Sequence, residues 1–71
     1  MSDVHYRKPF NPHQYAIDGG WDASHIDATA RLGVSDEDIK RLRAYYGPGA
    51  GDRYAEQLAE WCKAEWRKRN L

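Results

Sequence analysis

Thr29-Ala-Arg-Leu-Gly-Val-Ser-Asp-Glu-Asp-Ile-Lys-Arg-Leu42 decides how this chain folds. Its spacing predicts two short helices hinged at Gly33, a residue free to adopt the left-handed conformation that ends a helix. Ser35 stands where the second helix needs an N-cap. Asp38 follows at the capping-box position, and Val34 and Ile39 have the spacing of a hydrophobic staple. Asp is shorter than the usual Glu, so the reciprocal box bond is weak. Asp36, Glu37 and Asp38 also lie at the positive end of the helix dipole, where each contributes ~0.3–1 kcal/mol when exposed. Helix stabilisation alone accounts for these three acids.

The pattern extends in both directions. Upstream, Asp22 is a good N-cap for a first helix running to about Leu32, with Trp21 and Ile26 at staple spacing. Its inward face is Ile26, Ala30 and either Thr29 or Leu32. The second helix, over 36–46, carries the stripe Ile39, Leu42, Tyr45 and Tyr46, and Gly47-Pro48-Gly49 stops it. A third, over 52–69, repeats apolar residues at three- and four-residue steps: Tyr54, Leu58, Trp61, Cys62 and Trp66. Its acids come early and its bases late, which suits the dipole. At about 27 Å it is long enough to outrun the two short helices. The expected core is Trp21, Ile26, Ala30, Leu32, Val34, Ile39, Leu42, Tyr45, Leu58, Trp61 and Cys62.

Residues 1–20 read differently. Pro9 and Pro12 bias Lys8 and Asn11 away from helical backbone, and Gly19-Gly20 marks a break. The expectation is an irregular N-terminal arm over 1–20 followed by an all-α, three-helix domain over 21–71. Tyr6, Phe10, Tyr15 and Ile17 give the arm apolar surface to lay on the helices or on another protein.

Seventy-one residues make at most one domain. Leu, Ile, Val and Phe together number ten, about 14% of the chain, low for a globular protein. Nine aromatic residues compensate, so the core must be a few rings packed over alanines. Aromatics are also the residue types enriched at interface centres. Cys62 is the sole cysteine, which excludes a disulfide-stapled mini-protein. No apolar run can cross a membrane and no signal-peptide pattern follows Met1. A cytoplasmic location is expected. Net charge is zero, yet residues 18–38 hold six acids and one base, while 39–53 and 61–71 each hold four bases and one acid.

Residues 25–44 resemble a generic helix-turn-helix, by the spacing of Thr29, Leu32, Gly33, Val34, Ile39 and Leu42. Thr29 stands where that motif usually has Ala. The resemblance implies a DNA-binding regulator whose second helix enters the major groove. Lys40, Arg41 and Arg43 would then contact the backbone. Asp36, Glu37 and Asp38 oppose this, because they would meet the phosphates.

Other chemistries find little support. His5, His13, His25 and Cys62 are metal donors without local ligand spacing. Cys62 lies on an apolar stripe, where an inert thiol is the rule. Gly47, Gly49 and Gly51 lack the spacing of a phosphate loop. No cofactor is expected. The remaining reading is a non-enzymatic helical protein that binds a larger protein or itself, as an accessory subunit or as an inhibitor or regulator of the kind that phages encode. Its expected anchors are Trp66, Arg67 and Arg69 on the third helix, with Tyr6 and Phe10 in the arm.

Overall fold

The computed structural model describes residues 10–71. It is all-α: α1 (Pro12–Asp18), α2 (Ala23–Leu32), α3 (Asp36–Tyr46) and α4 (Pro48–Arg69). The three helix starts from α1 to α3 are capped by a side chain. Asn11 Oδ1 accepts from the Gln14 amide at 3.2 Å, Asp22 Oδ1 from the His25 amide at 2.9 Å, and Ser35 Oγ from the Asp38 amide at 3.2 Å. Gly33 and Gly47 both hold φ of 95°, a conformation that costs any other residue energy. They close α2 and α3 where the sequence places their ends.

The arm differs from expectation. Residues 12–18 form a two-turn helix, and residues 1–9 lie outside the described part of the chain. Asn11 is extended, at φ −124° and ψ 106°, as a residue before proline should be. That conformation is also the one an N-cap needs, and Pro12 at the first helical position is pre-set for helix. The prolines begin a helix here instead of preventing one.

α4 begins four residues earlier than expected, at Pro48 instead of Asp52. The same device operates: Gly47 caps and Pro48 opens the helix. Gly49 and Gly51 disfavour helix by roughly 1 kcal/mol each relative to Ala, but packing overrides propensity. A Cβ on Gly51 would stand 2.6 Å from both N and Cα of Arg43. The α3 and α4 backbones therefore touch at this point, which only glycine permits. With a single residue between them, α3 and α4 form an antiparallel hairpin.

α4 is the spine of the molecule. At 22 residues it is about 33 Å long, within an envelope of 46 × 20 × 18 Å. α3 lies along its first half, where Arg43 pairs with Asp52 at 2.8 Å. α2 lies along its second half, where Asp27 pairs with Arg69. Both helices pack mainly on α4 and make no comparable interface with each other. The turn at 33–35 thus joins two helices that occupy successive lengths of a third.

The buried core is thin. Leu42, Leu58 and Cys62 have no exposed surface, and Ala16 and Ala55 complete it. Trp21, Ile26, Ala30, Val34, Ile39 and Trp61 pack around it as expected, joined by Phe10, Tyr15, Tyr46 and Tyr54. Leu32 and Tyr45 do not: they are 82% and 75% exposed. Thr29 takes the inward position that the sequence left open between it and Leu32. Tyr45 and Tyr46 are adjacent, so they point about 100° apart on the helix, and Tyr46 is the one that turns to the core.

Candidate functional site

The start of α3 holds the most connected polar side chain among the described residues. Asp38 is 5% exposed. Its Oδ1 accepts from the Tyr15 hydroxyl at 2.9 Å and from Arg41 Nη1 at 3.3 Å. Its Oδ2 accepts from the Ser35 hydroxyl at 3.1 Å, instead of reaching the Ser35 amide as a capping box would. Each contact offsets the cost of burying a carboxylate. Tyr15 feels the same environment. Burial first, and the Asp38 carboxylate second, push its phenol up to about 12. It therefore stays a protonated donor at any ordinary pH.

This cluster changes the reading of the acids. Asp38 faces inward and ties α3 to α1, while Asp36 and Glu37 remain exposed at the helix start. Of the three bases proposed for nucleic-acid contact, Arg41 is paired with Asp38 and Arg43 with Asp52. Lys40 is exposed and forms no ion pair among the described residues.

The expected protein anchors separate into three groups. Tyr6 lies outside the described residues. Phe10 is half-buried in an intramolecular ring cluster, parallel to Tyr54 at 4.8 Å and edge-on to Tyr46 at 5.9 Å. Trp66 is 37% exposed, the most exposed of the three tryptophans. Arg67 beside it is exposed and forms no ion pair among the described residues. Arg69 instead turns back to Asp27 on α2. The expectation that α4 outruns the short helices needs correcting accordingly: α2 flanks its second half.

The remaining candidates are quiet. Cys62 is buried, and burial pushes its thiol up to about 11, with a smaller push from Glu65. A thiol in that state is a poor nucleophile. His13 stacks on Trp61 and His25 on Trp21, with ring centroids 5.6 Å and 4.0 Å apart. Among the described residues no three His, Cys, Asp or Glu side chains gather as metal ligands. An open groove of about 320 Å³ lies between α2 and the start of α3, lined by His25, Thr29, Leu32, Val34 and Asp36 among others. Among the described residues no helix is long and apolar enough to cross a membrane.

The ring cluster around Phe10, and the Tyr15–Asp38 bond beside it, carried no signal in the sequence. Nothing local pairs residues 23 apart. Only the Ser35–Asp38 spacing was readable in advance. No protein family, curated protein or solved structure matches the chain.

Proposed function

We propose that this chain is a non-enzymatic helical module of the cytoplasm that acts by binding another protein, as a subunit or regulator of a larger assembly. The observation that carries the reading is the outer end of α4. Trp66 keeps over a third of its surface in solvent, whereas the largest wholly enclosed side chains among the described residues are just Leu42, Leu58 and Cys62. Here a tryptophan stands beside an arginine that has no ion pair among the described residues, and both residue types are enriched at interface hot spots. Arg67, exposed beside Trp66, can take a carboxylate or a carbonyl from the partner. Arg69 contributes indirectly, because its bond to Asp27 fixes the end of α4 against α2.

The alternative, duplex binding through α3, draws less support. Its leading edge carries Asp36 and Glu37, and two of its three bases are already neutralised by Asp38 and Asp52.

Affinity capture from the native cell, with the parent and Trp66→Ala compared side by side, tests the proposal. A partner retained by the parent and lost by the variant is expected. Duplex binding that weakens steeply with salt, with no protein captured, would replace this reading by the DNA-binding one.

A further inference from the structure

Asp27 and Arg69 pair across α2 and α4 and so fix the register of the two helices. The turn at 33–35 joins the end of α2 to the start of α3 partway along α4, so α2 runs antiparallel to α4. One turn on from Asp27 along α2 is Arg31, and one turn back from Arg69 along α4 is Trp66. In antiparallel helices these two steps go the same way, by about 6 Å and about 4.5 Å. Residues three and four apart share a helix face. Arg31 and Trp66 therefore stand at one level, on the side of the seam that the ion pair marks. Arg67 follows Trp66, about 100° further round α4. No local pattern links Arg31 to Trp66; only the packing of α2 on α4 does.

Five bases stand on α2 and the second half of α4: Arg31, Lys63, Arg67, Lys68 and Arg69. Lys63 pairs with Glu60 at 3.5 Å, Lys68 with Glu65 at 3.1 Å, and Arg69 with Asp27. Arg31 and Arg67 are exposed and form no ion pair among the described residues. The two bases that no described acid answers are the two placed around the half-covered tryptophan.

We infer that Arg31, Trp66 and Arg67 form one docking surface, and that its occupant is an acidic peptide segment of the partner protein. An apolar side chain of that segment lies on the indole, and a carboxylate meets each guanidinium. The inference rests on the protein-binding reading and names the chemistry of its partner. A guanidinium receives a carboxylate through two parallel N–H donors, so arginines on both sides of a ring select for acids at set places. A nucleic-acid strand fits less well. Its continuous run of phosphates would pass Glu60 and Glu65 on the same stretch of α4, whereas a peptide can carry charge only where the arginines stand.

The test titrates the nitrogen-labelled full chain, followed by nuclear magnetic resonance, with the peptide acetyl-Glu-Gly-Leu-Gly-Glu-amide. Saturable shifts are expected at the Trp66 indole N–H and at the Arg31 and Arg67 side chains. The matched peptide with Gln for both Glu should bind roughly tenfold more weakly, the scale of one charge-assisted hydrogen bond. Arg31→Gln should weaken the acidic peptide several-fold while the backbone spectrum stays that of the parent. Lys40→Gln, which removes an exposed base on α3, should leave the affinity unchanged. Absent shifts, equal binding of the two peptides, or equal effects of Arg31→Gln and Lys40→Gln overturn the inference. A five-nucleotide thymidine strand that binds at the same residues more tightly than the acidic peptide overturns it too, in favour of nucleic acid. Capture of a protein that Trp66→Ala loses and Arg31→Gln keeps would overturn the acidic occupant alone and leave the protein-binding reading standing.

Discussion

Tyr15 shows how one hydroxyl can organise a chain of this size. Its phenol is pushed up to about 12 by burial and by Asp38, with Arg41, which bonds the same carboxylate oxygen, opposing. A tyrosine raised above its usual value near 10 favours the folded state while it is neutral. Its contribution is complete below pH 10 and is lost as pH climbs from there through about 12. Hydrogen exchange at α1 should therefore accelerate across that window, and Tyr15→Phe should abolish the added pH dependence, leaving α1 loosened at every pH. Cys62 offers a second reading at this scale. Enclosed and with its thiol raised to about 11, it should resist thiol reagents at pH 8 in the folded protein and react only on opening. Labelling at the rate of a free thiol would contradict the packing described for α4. Residues of this kind are where the sequence was least readable. Ser35 and Asp38 are three apart, and their pairing follows from helix geometry. Tyr15 and Asp38 meet only because the whole chain folds.

Local rules served well where an element ends by its own chemistry. Asp22, Ser35, Gly33 and Gly47 fix four boundaries through caps and left-handed backbone, and each is visible in the sequence. The start of α4 was not, because Gly49 and Gly51 argue against helix locally and their reason is tertiary. That reason can be tested. Gly51→Ala drives a methyl into the Arg43 backbone, 2.6 Å away, and should destabilise by about 1–3 kcal/mol as overpacking does, although Ala is the better helix former. Gly49→Ala meets nothing within 4 Å and should be neutral or stabilising. Thermal melts of the two variants decide the matter: similar behaviour would mean that α3 and α4 do not touch here. Leu42→Ala and Leu58→Ala belong to the same scale. Each empties a fully enclosed site and should cost ~2–5 kcal/mol.

For the molecule as a whole, the thin core sets the behaviour. Domains are commonly stable by only 5–15 kcal/mol, so either leucine variant can use up much of the margin and should leave a chain that melts close to ambient temperature. Trp66→Ala should fold nearly as the parent does and lose its partner, a separation readable from a melt and a capture experiment on the same sample. All-α architecture followed from periodicity and caps. The disposition of the helices did not, since a spine with two helices on successive lengths and a hairpin packed on itself share one hydrophobic pattern. That disposition has a consequence for how freely the chain can be lengthened. Because α2 and α3 both answer to α4, the segment joining them carries little responsibility for where they sit. Extra Gly and Ser residues placed after Gly33 should be accepted at the modest entropic cost of a longer loop, about 0.6 kcal/mol per doubling. The same insertion after Gly47 would prise apart backbones in direct contact. Nature and the protein engineer alike would find room for new sequence at the first site and none at the second.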